Sequence, residues 1–244
     1  DIDLAIRSGL GYKMGPCTLL DLVGLDTQIL LGEAFYPITL DVRASVPPLL
    51  RRMVAAGKLG NKSGGGFLTG ASREPASTAP SYEMVHHGQG RSFLVDDEFV
   101  RNAAVSGDVA VHLGGGYVAS PEKAAVVVEL DTECLGVHIG EEASEDTANT
   151  VGFARYRNGD EAPSPLIELV YKPHTTAEAI EAARAIFEVA GFDVVVCKDL
   201  PGRIVDRFVR PKYNDALRFV DEGLASPGDM DKTCCMGLGY PVGP

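Results

Sequence analysis

This sequence lacks cysteines at paired-ligand spacing, a membrane-length apolar run and an excess of basic charge. Its five cysteines show no CxxC spacing, which disfavours both a disulfide framework and a paired-ligand zinc site. No apolar stretch approaches the roughly 20 residues that span a bilayer. The formal net charge is −12, and phosphate binding needs clustered Lys and Arg. We therefore expect a cytoplasmic protein with no metal site, no membrane partner and no nucleic-acid partner.

A repeat is the most informative feature that the sequence does contain. Residues 1–16, DIDLAIRSGLGYKMGP, return as residues 229–244, DMDKTCCMGLGYPVGP. The copies agree at Asp-x-Asp, at Gly-Leu-Gly-Tyr and at the closing Gly-Pro, and such repeats define an architecture. The sequence also starts without methionine. We interpret it as an internal piece of a longer protein, with most of one unit of a tandem duplication and the start of the next.

The first 69 residues have the pattern of short helices. Apolar residues recur at helical spacing in segments that begin at proline or end at glycine, which predicts helices at 1–9, 17–23, 25–35 and 49–56. The segment GKLGNKSGGGF, residues 57–67, is too rich in glycine for regular structure. Residues 70–81, GASREPASTAPS, have the composition of a linker. The sequence thus predicts an all-α unit over 1–69 that is followed by a linker.

The apolar periodicity changes after the linker. Compact apolar runs of strand length alternate with a strong helical pattern at 175–190, which favours an α/β domain over 82–200. These runs are at 108–113, 125–130, 135–139, 151–156, 166–171 and 193–197. From residue 201 the pattern is helical again, with a long helix at 202–222 and another that begins at Ser226-Pro227. The predicted fold class is α/β plus all-α, with helical units at 1–69 and 201–244 flanking the α/β domain.

Several stretches resemble 3-hydroxyacyl-CoA dehydrogenases. GLGYKMGPCTLLDLVGLD and the glycine-rich segment at 57–67 are similar to parts of the family's helical C-terminal domain. PLIELVYKPHTT, VVVCKDLPG and ALRFVDEGLASPGDM resemble the junction from the family's nucleotide domain into that helical domain. The order of the parts is similar to the duplicated enzymes of aromatic-acid breakdown, the 3-hydroxyadipyl-CoA and 3-hydroxybutyryl-CoA dehydrogenase type. The α/β domain would then be a degenerate Rossmann-like copy.

The resemblance implies a reaction and its partners. The family transfers a hydride between the 3-hydroxyl carbon of an acyl-CoA and NAD, which yields a 3-oxoacyl-CoA. The helical units would pair, either in a homodimer or as an intramolecular pseudo-dimer, and would roof the acyl-CoA site. In the duplicated enzymes an intact dinucleotide domain precedes the first helical domain, so we expect such a domain before Asp1.

The resemblance also assigns catalytic positions. The family uses a His as general base and a Glu that orients it. Glu168 in LIELV stands at the Glu position, but VGFARYRN puts Ala154 at the His position, or Arg155 with a shift of one residue. Asp206 in GRIVDR stands where the family has an Asn that binds the substrate oxygen. We therefore predict that this copy is inactive, with Glu168 retained as a structural carboxylate.

One segment, GGGYVA, matches the glycine pattern of dinucleotide-binding loops. Gly114 and Gly116 would admit a pyrophosphate at a helix N-terminus, and Glu129 or Asp131 would bind the ribose. Only residues 120–124 are left for the helix that should follow, however, and a crossover needs more. Two interpretations stay open: a working NAD site, or a shrunken remnant that is retained for packing.

A non-catalytic module that binds CoA or another protein is the alternative class of function. The main local basic groups, Arg51, Arg52, Lys58 and Lys62, could contact CoA phosphates. A solvated basic surface is the simpler interpretation of the same residues.

Overall fold

The computed structural model describes residues 1–68, 73–88, 92, 94, 98–158 and 161–244. The helices in this part of the chain are α1 (Ile2–Leu10), α2 (Pro16–Val23), α3 (Leu25–Thr39), α4 (Pro48–Ala55), α5 (Glu98–Arg101), α6 (Leu135–Ile139), α7 (Ala177–Val189), α8 (Val205–Asp221) and α9 (Pro227–Gly237). The strands are β1 (Tyr82–His86), β2 (Val109–Leu113), β3 (Ala125–Glu129), β4 (Thr150–Arg155), β5 (Leu166–Tyr171) and β6 (Asp193–Lys198). No helix among the described residues is long and apolar enough to cross a membrane.

The chain divides into two compact units. The helical unit contains Ile2 and Lys13–Arg73, and the α/β unit contains Asp1, Asp3–Tyr12 and Glu74–Pro244. The domain boundaries that the sequence suggests, at 69, 81 and 200, stay predictions, and the proposed linker lies partly outside the described residues.

Proline and glycine set the ends of the helical unit's elements. Pro16 and Pro48 occupy the first turns of α2 and α4, where the missing N–H costs nothing, and Gly24 ends α2. The third helix is longer than the predicted 25–35, because it continues past Pro37 to Thr39. A proline in the last turn of a helix removes little of the helix's backbone hydrogen bonding, so Pro37 does not end α3.

The sheet runs in simple chain order from β1 to β6. The first four strands are parallel, β4 and β5 are antiparallel, and β5 and β6 are again parallel. The central strands are almost wholly buried, which suits their continuous Val, Ile and Leu content. The prediction of an α/β unit flanked by helices is confirmed.

Each face of the sheet is covered by its own helices. On one face α7 inserts Ala183, Ile186 and Phe187 into the largest apolar cluster, which also contains Phe99 and Phe153. On the other face α6 packs through Leu135, while α8 and α1 contribute to a further cluster. The members of that last cluster are Ala5, Leu166, Val195, Val205 and Val209.

Two local predictions were wrong or incomplete. Residues 135–139 were expected to form a strand but form α6, since the carboxylate of Asp199 accepts the N–H groups of Leu135 and Gly136 at 2.8 and 2.9 Å. β1, with the mixed sequence YEMVH, was not predicted, because its side chains are only half-buried and show no apolar run. Both errors concern segments too short for periodicity to decide.

Candidate functional site

Glu168 lies on β5 and caps the start of α8. Its Oε1 accepts hydrogen bonds from the backbone N–H groups of Ile204 and Val205, at 2.8 and 3.1 Å. The Nε of Arg203 lies 3.7 Å from the other carboxylate oxygen. Burial raises the pKa of Glu168, while the two backbone hydrogen bonds and the Arg203 charge oppose that rise. The carboxylate is thus held by a helix N-terminus, which supports the expected structural role.

The residue directly opposite Glu168 on the neighbouring strand is Ala154. The two face each other in the antiparallel register of β4 and β5, and the methyl group of Ala154 is buried in an apolar cluster. Arg155, the other candidate for the base position, donates hydrogen bonds to the carbonyl oxygens of Ser164 and Pro163. Neither Ala154 nor Arg155, the two candidates for the base position, can accept a proton near pH 7.

Asp206 lies near Glu168, in the first turn of α8. Its carboxylate is 3.7 Å from the Nε of Arg210, one turn further along the helix. Asp206 and Glu168 line one cavity of about 470 Å³. Four arginines share its lining: Arg155, Arg157, Arg203 and Arg210. Asp131, a candidate for ribose binding, lines the same cavity, so the structure brings three of the predicted acidic residues together among four cationic groups.

The predicted cofactor residues lie where β2 and β3 end. The N–H of Gly114 donates to Glu129 Oε2 at 3.0 Å, and Glu129 is almost fully buried. A side chain on Gly116 would collide with the ring of His87, since its Cβ would lie 1.9 Å from His87 Cγ. Asp131 follows β3 on the exposed surface. Sequence reasoning missed His87, whose only signal was its place directly after an unpredicted strand.

The two copies of the repeat contact each other within the α/β unit. The rings of Tyr12 and Tyr240 stack with centroids 4.7 Å apart and an interplanar angle of 23°. Lys212 Nζ lies 3.2 Å from the Tyr12 hydroxyl and over the rings of Tyr240 and Tyr213, at 4.7 and 5.1 Å. Burial lowers the pKa of Lys212. The repeat itself was visible in the sequence, but nothing there indicated that its copies meet.

The basic groups of the helical unit are partly paired. Arg51 Nη1 contacts Glu33 Oε1 at 2.7 Å, and Lys62 Nζ donates to Asp26 Oδ2 at 2.6 Å. Arg52 and Lys58 are exposed. Within the described ranges, no three His, Cys, Asp or Glu side chains are grouped to hold a metal ion, and none of the five cysteines is in a disulfide.

Comparison with known proteins agrees with the resemblance seen in the sequence. A family model described as the C-terminal domain of 3-hydroxyacyl-CoA dehydrogenase matches residues 1–70 and 202–244. The chain is 26% identical to 3-hydroxyadipyl-CoA dehydrogenase of Escherichia coli (strain K12), over 100% of this chain and 45% of that protein. It is 46% identical to a probable 3-hydroxybutyryl-CoA dehydrogenase of Deinococcus radiodurans, over 62% of this chain and 52% of that protein.

A solved structure agrees at the level of the fold. The crystal structure of 3-hydroxybutyryl-CoA dehydrogenase from Escherichia coli K12 matches 100% of this chain and 45% of its own, with a TM-score of 0.61 at 22% identity. The chain therefore spans about half the length, or less, of the relatives that it matches. Both ends of the chain, residues 1–70 and 202–244, thus match the C-terminal domain of 3-hydroxyacyl-CoA dehydrogenases, and the whole chain shares the fold of a solved 3-hydroxybutyryl-CoA dehydrogenase.

Proposed function

We propose that the protein containing this chain is an NAD-dependent 3-hydroxyacyl-CoA dehydrogenase, which oxidises the 3-hydroxyl of an acyl-CoA to a 3-oxoacyl-CoA. The chain supplies helices that pair and roof the substrate, together with an inactive copy of the nucleotide domain. The observation that supports an inactive copy is the register of β4 and β5, in which Ala154, at the position that the resemblance gives to the base, lies opposite Glu168. Five cysteines without a disulfide fit a reducing compartment, so we propose a cytoplasmic location.

The substrate class rests on the relatives' names. The relatives from Escherichia coli and Deinococcus radiodurans are called 3-hydroxyadipyl-CoA and 3-hydroxybutyryl-CoA dehydrogenases. An acyl-CoA is therefore the proposed substrate and NAD the proposed cofactor. We assign the hydride transfer, and the base that takes the proton of the substrate hydroxyl, to a dinucleotide domain outside this chain.

Two features support the proposed pairing. The contact between Tyr12 and Tyr240, both in the α/β unit, joins the two copies of the repeat within one chain. The helical unit also has an apolar groove of about 550 Å³, lined by residues that include Leu31, Phe35 and Leu49. All three of these side chains are substantially exposed, which is typical of a surface that another helical unit covers in a pseudo-dimer or homodimer.

Activity of the isolated chain tests the proposal. We expect no formation of NADH from NAD and 3-hydroxybutyryl-CoA by the purified chain, under conditions in which the Escherichia coli relative turns over. The Glu168→Gln variant should likewise form no NADH. An NADH signal that Glu168→Gln abolishes in a folded protein would show that the copy is catalytic and would refute the assignment.

A CoA-binding role without catalysis is the second candidate. It is favoured by the arginines around the cavity next to Glu168, which could hold phosphate groups in a protein of net charge −12. Calorimetric titration of the chain with CoA distinguishes the two roles: saturable binding that weakens in Arg210→Ala, an exposed lining residue, supports the binding module.

A further inference from the structure

The carboxyl ends of β1, β2 and β3 form the edge where an open parallel sheet usually binds its ligand. In this chain that edge contains the glycine-rich loop after β2 and His87 directly after β1. The family implies a dinucleotide at such a loop. Whether this edge fits one depends on the space beside the glycines, the free N–H groups and the charges nearby.

The space beside Gly116 is already filled. A Cβ on Gly116 would lie 1.9 Å from Cγ and 2.3 Å from Nδ1 of His87, so no side chain fits there while the imidazole is in place. The φ of Gly116 is not positive, so backbone conformation does not require glycine here. In a dinucleotide loop the missing side chain lets the pyrophosphate approach the backbone. Here it lets the imidazole of His87 approach instead.

The ring of His87 is fixed by a second histidine. His87 Nε2 lies 2.7 Å from His112 Nδ1, and the two rings stack with centroids 5.0 Å apart and 14° between their planes. The backbone N–H of His87 donates to the carbonyl of Leu113 at 3.1 Å. His112 is only 2% exposed, and its Nε2 has no hydrogen-bond partner among the described residues. Burial and the nearby His87 lower the pKa of His112 to about 4, so the His112 ring is neutral at physiological pH.

The donor that a phosphate would use is also occupied. The N–H of Gly114 donates to Glu129 Oε2 at 3.0 Å, and Glu129 Oε1 accepts from Ser92 Oγ at 2.9 Å. A buried carboxylate at this point opposes the approach of a phosphate. Residues 114–124, which the structure describes throughout, form no helix, so no helix N-terminus adds its dipole.

The strand order gives no alternative crevice. Dinucleotides bind where the order of strands in a doubly wound sheet reverses. The described strands run from β1 to β6 without reversal. In the part of the α/β unit that the structure describes, both the free loop and the crevice that the family's cofactor needs are therefore lacking.

We propose that the glycine cradle of the α/β unit is occupied from within by His87, which His112 holds in place, and that this occupancy excludes a dinucleotide pyrophosphate. The imidazole is the main barrier, while Glu129 limits how tightly any ligand could bind once the imidazole is removed. The cofactor of the proposed dehydrogenase is then held outside this unit. This proposal concerns only the loop, so it stands or falls independently of the dehydrogenase activity.

Titration of the chain with ADP, as a probe of pyrophosphate binding, tests the proposal. We expect the wild type to show no saturable binding and His87→Ala to gain binding in roughly the millimolar range, equivalent to about 4 kcal/mol. His86→Ala removes an exposed histidine next to it and should behave as the wild type. Binding of ADP by the wild type as tight as that of His87→Ala would overturn the proposal. Absence of ADP binding in every variant would also overturn the proposal, because the barrier to binding would then be the missing helix and not the His87 imidazole.

Imidazole NMR signals give a second, ligand-free test. Gly116→Ala must displace His87 and should shift the ring signals of both His87 and His112. Gly228→Ala is the matched control, because a Cβ there meets nothing within 4 Å. Unchanged imidazole signals in folded Gly116→Ala would show that His87 does not fill the cradle.

Discussion

A single buried carboxylate shapes the glycine-rich segment of the helical unit. Asp21 accepts the backbone N–H groups of Phe67 and Leu68 at 2.9 and 3.0 Å. A Cβ on Gly66 would lie 1.9 Å from Asp21 Oδ1, and one on Gly60 would lie 2.4 Å from the Asp21 carbonyl oxygen. These two glycines are therefore required by close approach to Asp21, which gives a physical reason for part of the motif by which the family is recognised.

Asp21→Asn should destabilise the helical unit. Asparagine has one carboxamide oxygen, so at least one of the two N–H groups loses its acceptor, and an unsatisfied buried donor costs about 1–3 kcal/mol. Chemical denaturation followed by circular dichroism measures the change. Asp26→Asn, which removes an exposed ion pair with Lys62, is the control and should have a much smaller effect. Equal effects of the two substitutions would contradict the anchoring role.

His112 should make the stability of the α/β unit fall with acid. Burial, then the nearby His87, lower its pKa from 6.5 to about 4, against a smaller opposing effect of Glu83 on β1. The unfolded chain therefore takes up a proton below pH 6.5 that the folded chain refuses until about pH 4, and stability is lost across that window. The loss is about 1–3 kcal/mol, measured by denaturation at several pH values.

The control for this pH dependence is a histidine that is not buried. His112→Phe should flatten the dependence between pH 6.5 and 4, whereas His86→Phe, at an exposed position, should leave it unchanged. An equally steep loss of stability in His112→Phe would mean that other groups cause it.

Part of the site was readable from the sequence, and part was not. The family motifs put Glu168, Ala154 and Asp206 at related positions, and the structure does bring Glu168 opposite Ala154. Their catalytic and binding roles stay predictions. The contact of His87 with Gly116 could not be foreseen, since it depends on how two neighbouring strands end in space. The order of residues in the chain does not say where the ends of two strands lie relative to each other.

At the scale of elements, length and burial decided what the sequence could predict. The strands β2, β3, β4 and β5 are buried and mostly apolar, β6 contains the apolar run at residues 194–197, and α7 has a clear apolar face, so all of these were expected. α6 and β1 have five residues each and were missed or misassigned, because hydrogen bonding to Asp199 and pairing with β2 determine them. Tertiary contacts outweigh local pattern in such short segments.

Phe187 on α7 is the central contact between that helix and the sheet. Its ring lies 5.1 Å from those of Phe99 and Phe153 and is fully buried. Phe187→Ala should therefore cost about 3–5 kcal/mol of unfolding free energy. Val189→Ala, at a position on the same helix that is 49% exposed, should cost far less. A small loss for Phe187→Ala in a denaturation experiment would mean that α7 is not essential to the core.

At the scale of the whole molecule, the repeat is visible in the sequence, and its two copies contact each other in the structure. Tyr12 belongs to the first copy of Gly-Leu-Gly-Tyr and Tyr240 to the second, and the two rings stack beside Lys212. The repeat was enough to predict two related helical segments. The stacking required the structure, because sequence similarity between copies does not say whether they touch.

A double-mutant cycle measures this contact. Tyr12→Leu and Tyr240→Leu should be non-additive, with a coupling energy of about 0.5–1.5 kcal/mol from denaturation of the single and double variants. Tyr12→Leu combined with Tyr82→Leu is the control, because Tyr82 packs on Phe99 instead. Additive effects within about 0.5 kcal/mol for Tyr12 and Tyr240 would show that the stack carries no energy of its own.

The contact between the repeat copies has a consequence for how this protein can vary. In a symmetric homodimer, one substitution changes both sides of a self-complementary interface at once, so compensating changes are hard to reach. Tyr12 and Tyr240 are encoded separately, and either can change while the other is kept. Lys212 is an example of this asymmetry, since a single lysine from α8 lies over the rings of both tyrosines. Joining the copies in one chain thus permits an asymmetric interface that identical subunits could not evolve.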